Sequence, residues 1–216
     1  MAALPSIRID VVSDLACPWC YVGKRRLDKA MQAYSSRANF KLQWHPYMID
    51  VATKSEGEEY MAYNRRRWGG DGWTVQLRQS GKPDGALFAN WKTWPNTLQA
   101  HRLAWYADKA GKGHQAQEKL FERTYEQGGN ISDSATLAQV AEQLQLQGAA
   151  AFLASEHGQD EVLAQDAAAK QRKVRGVPHF TIKPEGQTAD GAHVLKGAQG
   201  VDGFLAAFAA IVGRGQ

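Results

Sequence analysis

Apolar and polar side chains alternate between Ile7 and Val12. A repeat of two residues is typical of a β-strand, because successive side chains point to opposite faces of a sheet. From Cys17 to Ser35 apolar residues instead recur every three or four positions, which predicts an amphipathic helix. The two-residue repeat returns from Phe40 to Trp44, and Pro46 ends this strand or confines it to a sheet edge. This order predicts a βαβ unit with parallel strands and a right-handed crossover.

The middle of the chain, residues 51–173, has no convincing strand pattern. Helical repeats that stop at glycines or prolines predict a series of helices instead. Their approximate bounds are residues 56–68, 73–79, 95–110, 116–127, 137–144, 148–155 and 160–173. Residues 86–94 are expected to form a loop rich in aromatic side chains. We therefore expect an all-helical block in this part of the chain.

Strand patterns return near the carboxyl end. Phe180 and Ile182 alternate with polar neighbours, and a further short strand is predicted at residues 193–196. Apolar spacing from Val201 to Val212 then predicts a closing helix. The outer segments thus have the order βαβ and then ββα, with the helical block inserted between them.

The bulk composition is that of an ordinary globular protein, with 216 residues, 44% hydrophobic and 22% charged. No apolar run approaches the roughly 20 residues needed to cross a bilayer, so we expect no membrane association. The first residues, Met1 to Ser6, lack the basic region and apolar core of a secretory signal, and we expect a cytoplasmic protein. The cytosol keeps thiols reduced, which favours a reductase or isomerase over a net oxidant.

The formal net charge is +4, and basic residues cluster in two runs, Lys24-Arg25-Arg26 and Arg65-Arg66-Arg67. Such runs attract acidic partners or nucleic acids when they share one exposed surface. The first run is expected on the solvent side of the first helix, and the second at the end of another helix. We interpret both as ordinary solvated surface and expect no nucleic-acid partner.

The chain has two cysteines, and both lie in Cys17-Pro18-Trp19-Cys20 at the start of the first predicted helix. The free N–H groups and dipole of a helix start stabilise a thiolate. Free cysteine titrates near ~8.5, and such sites lower this to roughly 3.5–7.5. Cys17 is therefore the predicted nucleophile, and Cys20, one turn further in, the shielded thiol that resolves a mixed disulfide. Pro18 suits the first turn, and Trp19 is expected to be exposed as a contact for substrate.

Three other interpretations of the cysteine pair compete with a redox role. A structural disulfide would close a loop of two residues and constrain the unfolded chain very little. A zinc site needs two further ligands, but the chain has no second cysteine pair, and none of its six histidines lies in a His-x3-5-His pair, so no metal is expected. Two buried cysteines without chemistry remain the third interpretation.

A second motif, Val177-Pro178, supports a fold assignment together with the cysteine motif. Val177-Pro178 lies directly before the first strand of the second half, and this order with Cys-x-x-Cys at the first helix resembles the thioredoxin fold. The long helical insertion resembles the DsbA family. The segments Ser13-Asp14, Gly23 to Leu27, Asn96-Thr97 with Ala100 to Leu103, and Gly176 to Pro178 are similar to the FrnE-like branch of cytoplasmic dithiol oxidoreductases.

The resemblance implies an α/β, thioredoxin-like fold (βαβ–ββα) with a helical domain inserted between its two halves. Residues 1–50 and 174–216 would form the thioredoxin-like domain, and residues 51–173 the inserted all-helical domain. It also implies a cis peptide bond at Pro178, since X–Pro is the bond at which cis is least costly. The backbone of Val177 would then be free to pair with an extended substrate peptide. A proline that simply begins a strand is the alternative.

The function implied is a thiol–disulfide oxidoreductase, a DsbA-like disulfide reductase or isomerase acting on disulfide-containing proteins or peptides. Its redox-active disulfide is the Cys17–Cys20 pair, and no resident cofactor is expected. Glutathione or the thioredoxin system would supply electrons. The rival interpretation is a glutathione-dependent isomerase or transferase of the 2-hydroxychromene-2-carboxylate isomerase or kappa-class type. Those proteins generally have serine where Cys17 stands, and a binding module without redox chemistry is the third option.

The sequence departs from the wider family at two positions. Trp19 stands where strong oxidants of the DsbA type have histidine, which argues against extreme oxidising power. Val11 stands where thioredoxin-like proteins often bury a carboxylate, so Asp14 is a candidate proton acceptor, with a loop-capping aspartate as the alternative. His101 either lines the cleft above Cys17 or packs in the interior. The aromatic residues of the insertion likewise either wall that cleft or belong to the core; they are Trp68, Trp73, Phe88, Trp91 and Trp94.

Overall fold

The computed structural model describes residues 4–213. Residues 1–3 and 214–216 lie outside the described residues, so the ends of the predicted thioredoxin-like domain and part of the segment in which no secretory signal is expected are not covered. The strands are β1 (Ser6–Ser13), β2 (Asn39–Pro46), β3 (Glu58–Glu59), β4 (Thr93–Trp94), β5 (His179–Pro184) and β6 (His193–Lys196). The main sheet has the order β2-β1-β5-β6. β1 and β2 are parallel, whereas β5 is antiparallel to β1 and to β6. The predicted βαβ and ββα units are therefore confirmed.

The helices alternate with short connections. They are α1 (Pro18–Tyr34), α2 (Tyr60–Trp68), α3 (Thr74–Gly81), α4 (Leu98–Lys109), α5 (Gly113–Tyr125), α6 (Ser134–Gln143), α7 (Ala149–Ala154), α8 (Gln159–Gln171) and α9 (Val201–Gly213). The predicted helices agree with these bounds to within a few residues. None of the helices within residues 4–213 is both long and apolar enough to span a bilayer.

One face of the main sheet packs against α1 and α9. Ile9 of β1 and Phe180 of β5 are fully buried there, together with Leu27 of α1 and Phe204 of α9. The rings of Phe180 and Phe204 meet edge to face, with centroids 4.9 Å apart. Side chains alternate along each strand, so the opposite face of the same strands carries the polar residues of β1 and β5.

The insertion covers the other side of α1. Tyr21 of α1 stacks on Tyr125 of α5, with ring centroids 5.5 Å apart. The prediction that Lys24 to Arg26 face solvent was wrong: Lys24 is 1% exposed, and its ammonium group is bonded to the carboxylates of Asp28 and Glu118. Packing of α5 on this face of α1 explains the difference, because a buried ammonium group is tolerated only when it is paired.

The all-helical description of the insertion missed one feature. Glu58–Glu59 pairs with Thr93–Trp94 in an antiparallel ladder, and α2 therefore begins at Tyr60 rather than at residue 56. Strands of two residues are too short to produce an alternating pattern. The division of the chain at residues 50 and 173 stays a prediction.

The aromatic residues of the insertion divide between core and surface. Phe88, Trp91 and Trp94 are buried, Trp73 is half-buried, and Trp68 is 47% exposed. The core interpretation therefore holds for three members of the predicted aromatic set.

Candidate functional site

The site begins where β1 ends and α1 starts. Cys17 occupies the N-cap position with extended backbone angles (φ −87°, ψ 111°), and Pro18 takes the first helical position. The Cys17 N–H donates to the carbonyl of Asp14 at 3.0 Å, and the Cys17 carbonyl accepts from the N–H of Cys20 at 3.0 Å. The Cys17 side chain does not cap the helix, so its sulfur is directed elsewhere. The predicted helix start is correct to within one residue.

The sulfur of Cys17 faces a loop from the far end of the sequence. Its thiol donates to the carbonyl oxygen of Val177, with 3.6 Å between Sγ and O. The peptide bond between Val177 and Pro178 is cis, as the resemblance implied. The fold thus brings together the two motifs that the sequence predicts as a single site, although they lie 160 residues apart.

Gly23 allows α1 to approach this loop closely. A Cβ atom at Gly23 would lie 2.9 Å from Cγ of Pro178 and 3.2 Å from the ring of Phe180. Both distances are shorter than ordinary van der Waals contact between carbon atoms. The absence of a side chain at Gly23 therefore sets the distance between the helix that carries the thiols and the loop that carries Pro178.

The two cysteines are both free thiols, and both are buried. Cys17 is 5% exposed and Cys20 is 1% exposed. Burial raises the pKa of the Cys20 thiol well above its ordinary value, and the neighbouring Cys17 raises this pKa further. Cys20 is therefore held in its protonated form in the reduced protein.

Asp14 is a buried carboxylate with several donors. Its Oδ1 accepts from the N–H of Ala16 at 3.1 Å and from the hydroxyl of Thr97 at 2.9 Å, and its Oδ2 accepts from the N–H of Ile49 at 2.7 Å. His101, also buried, has its Nε2 3.5 Å from the same Oδ1 and 3.2 Å from the carbonyl of Tyr47. These contacts favour the loop-capping interpretation of Asp14 and the packing interpretation of His101.

The model of the DSBA-like thioredoxin domain matches residues 8–209, nearly the whole chain. The chain belongs to this family. The DSBA-like fold is shared with a crystal structure described as a probable DsbA oxidoreductase of Streptomyces coelicolor, at a TM-score of 0.82 and 23% identity, covering 96% of this chain and 90% of that one.

Two further solved structures share the DSBA-like fold. The cytosolic disulfide reductase DsbM from Pseudomonas aeruginosa matches at a TM-score of 0.66 and 17% identity, covering 97% of this chain and 100% of that one. A 2-hydroxychromene-2-carboxylate isomerase matches at 0.66 and 19% identity, covering 96% and 95%. At these identities the likeness establishes the fold and leaves the activity to be argued from the site.

Trp19 does not lie where the sequence predicted. In this DSBA-like chain Trp19 is half-buried and packs against the apolar core that α1 shares with the insertion, so the expectation of an exposed side chain was wrong. Part of the Trp19 side chain remains exposed, and the residue lies between the two cysteines in the sequence.

Tyr125 is a site residue that the sequence did not predict. It is fully buried on α5, and its hydroxyl donates to the carbonyl of Leu15 at 3.4 Å. Its pKa is raised well above the ordinary value by burial and then by the nearby Cys17 and Asp14 charges. The position of Tyr125 in a helical repeat predicts a core residue, and no sequence signal links it to thiols about a hundred residues away.

The described residues contain no cluster of three potential metal ligands.

Proposed function

We propose that this DSBA-like protein is a thiol–disulfide oxidoreductase that reduces or isomerises disulfides in protein or peptide substrates. The observation that carries the proposal is the meeting of two free thiols at the start of α1 with the carbonyl of Val177, 3.6 Å from the Cys17 sulfur. A helix start stabilises an attacking thiolate. A backbone carbonyl beside that sulfur offers an acceptor for the N–H of an extended substrate.

The exchange proceeds in two steps. The Cys17 thiolate attacks one sulfur of the substrate disulfide, a mixed disulfide forms, and the other substrate sulfur leaves as a thiolate that takes up a proton. Cys20 then loses its proton and attacks the Cys17 sulfur, which releases the second substrate thiol and leaves a Cys17–Cys20 disulfide. A dithiol or two molecules of a monothiol such as glutathione return this disulfide to two thiols and become oxidised themselves.

The surrounding residues take distinct parts in this proposal. Val177 pairs with the substrate backbone, Pro178 has no N–H to compete with that pairing, and Trp19 offers an apolar contact. Pro18 starts the helix that presents the sulfur. Asp14 and His101 act through the loop that carries Cys17, so they are positioning residues.

The proposal includes a cytoplasmic location and electrons from glutathione or the thioredoxin system. It is supported by the shared fold with DsbM, which is described as a cytosolic disulfide reductase and whose structure has also been solved with GSH. A cytosolic thiol pool favours reduction of substrate disulfides over their formation.

Trapping separates the roles of the two cysteines. We expect the Cys20→Ser variant to accumulate mixed disulfides with substrates whose disulfides Cys17 attacks, because nothing resolves them, whereas Cys17→Ser accumulates none. Non-reducing electrophoresis and intact mass measure the adducts. Equal trapping by both variants would contradict the assigned roles.

A glutathione-dependent isomerase is the second candidate, because an isomerase of that class shares the fold over nearly the whole chain. Insulin reduction, with and without glutathione, distinguishes the two. Loss of turnover in Cys17→Ser supports the oxidoreductase. Isomerisation of an aromatic substrate that needs glutathione and survives Cys17→Ser supports the isomerase instead.

A further inference from the structure

The sheet face turned away from α1 and α9 contains a groove of about 940 Å³. Outward side chains of β1 and β5 line it, including Arg8, Asp10 and Lys183. Residues 172–177 and Lys196, at the end of β6, complete the lining near the cysteine site. We refer to this feature as the basic groove.

Cations dominate the lining. Six lysine and arginine side chains face the groove against two carboxylates, those of Asp10 and Glu185. Asp10 is already paired, 2.9 Å from Arg8 and 3.2 Å from His45, and Glu185 lies 3.2 Å from Lys41. The two carboxylates are therefore engaged by cations and leave the other positive charges of the groove uncompensated.

Four exposed cations have no carboxylate within 4.0 Å anywhere in residues 4–213; they are Arg172, Lys173, Arg175 and Lys196. His179 also lines this part of the groove, and its pKa reflects the positive charge around it. Its pKa is lowered by burial and then by the positive charges of Lys196 and Arg172. An uncompensated positive potential thus fills the end of the groove nearest the thiols.

The basic groove is continuous with the cysteine site through Val177. Val177 lines the groove, and its carbonyl is the atom that contacts the Cys17 sulfur. From His179, beside that site, to Lys183 the β5 strand extends four residues, or about 13 Å at ~3.3 Å per residue. A polypeptide that leaves Cys17 along this face therefore passes over basic side chains for about four residues.

We propose that the basic groove binds an acidic stretch of the substrate polypeptide, adjacent to the disulfide that Cys17 attacks. The inference rests on the proposed exchange function and defines its substrate class. Phe, Tyr and Trp are absent from the lining residues, so the groove has no stacking surface for single-stranded nucleic acid. A second copy of the chain would present the same positive charge and be repelled.

Binding can be measured without redox chemistry. Fluorescence anisotropy measures the affinity of two labelled peptides of equal length, in which serine replaces the cysteine that Cys17 would attack. One peptide has four acidic residues on one side of this serine, and the other has four glutamines at the same positions. We expect the acidic peptide to bind about ten-fold more tightly at low salt, with the difference shrinking as salt screens the charges. The double variant Arg172→Glu with Lys196→Glu should lose this preference.

A matched control changes the net charge equally. Lys82 and Lys92 are exposed and do not line the groove, so Lys82→Glu with Lys92→Glu should leave the preference within about two-fold of the wild type. Equal binding of both peptides, or equal effects of both double variants, would overturn the inference. Tighter binding of an oligonucleotide than of the acidic peptide of the same length would also overturn the inference, because the groove would then bind nucleic acid. A wild-type dimer that dissociates in the groove variant would overturn it as well, because the groove would then bind a second copy of the chain.

Disulfide versions of the two peptides separate this inference from the proposed function. We expect kcat/KM to favour the acidic disulfide about ten-fold, and the groove variant to lose that advantage while it still reduces the neutral disulfide normally. If neither disulfide is reduced but the acidic serine peptide still binds, the groove assignment stands and the proposed function fails. If both disulfides are reduced equally by the wild type, the groove assignment fails and the proposed function stands.

Discussion

The site is built from two segments that are held in different ways. The thiol segment, residues 13–20, is fixed by a buried carboxylate: Asp14 accepts hydrogen bonds from its own loop, from the start of α4 in the insertion and from the segment after β2. The proline segment, residues 173–178, has two exposed cations and is placed by close packing of Pro178 against Gly23. The attacking group is thus anchored by polar bonds, and the surface that receives substrate is anchored by contact.

This difference suits the two tasks. Thiol exchange needs sulfur atoms held in line, and a saturated buried hydrogen-bond network gives a rigid position. Substrate reception needs backbone that is free to pair. Among the described residues, the backbone groups of Arg175 and Gly176 make no hydrogen bond of their own. The two segments can therefore be perturbed separately.

The largest expected effect comes from removing the polar anchor. Asp14→Ala leaves three donors without this acceptor, of which those on Ala16 and Thr97 are buried and the one on Ile49 is partly buried. Each such donor costs about 1–3 kcal/mol, so we expect the free energy of unfolding to fall by about 3–5 kcal/mol in urea titrations. Asp133→Ala removes an exposed N-cap of α6 and should cost only about 1 kcal/mol. Similar losses in both variants would contradict the anchoring role of Asp14.

The next effect is a pH dependence that arises in the thiol segment. The folded pKa of Cys20 is raised, so above about pH 8.5 the unfolded chain releases a proton that the folded protein retains, and stability falls as pH rises. In Cys17→Ser, which leaves Cys20 as the single thiol of the chain, we expect a loss of about 1.4 kcal/mol between roughly pH 7 and pH 9.5 under reducing conditions. Replacing Cys20 with serine as well should abolish this loss. A pH-independent stability in Cys17→Ser would contradict the assignment to Cys20.

The sequence predicts the parts of the site that have a local pattern. The strand before Cys17 and the helix start near Cys17 follow from periodicity, and the structure places both within a residue or two. The βαβ and ββα order followed from the same patterns. The thioredoxin-like fold and the cis bond at Pro178 were instead implied by the family resemblance.

The remaining parts depend on packing across the chain. Lys24 was expected in solvent because a lysine in a helical repeat marks the polar face, but α5 covers it with Glu118 as its partner. The donors to Asp14 come from residues 35 and 83 positions away, and Tyr125 lies 110 residues from Leu15. Periodicity within one element carries no information about which other element will cover it.

The smallest expected effect comes from the contact that places the proline segment. In Gly23→Ala the new methyl group meets Pro178 and Phe180 within 3.2 Å, so the loop carrying Val177 must shift. Overpacking of about 1–3 kcal/mol is partly offset by the ~1 kcal/mol that alanine gains in a helix. We expect a stability loss of about 1 kcal/mol and an approximately five-fold lower kcat/KM for disulfide reduction, because the Val177 carbonyl moves relative to the thiols.

Gly203→Ala in α9 is the matched control. Its new methyl group contacts only Gln199, at 3.6 Å, so the variant should gain stability with unchanged kcat/KM. Equal behaviour of the two alanine variants would mean that the helix contact does not set the position of the proline segment.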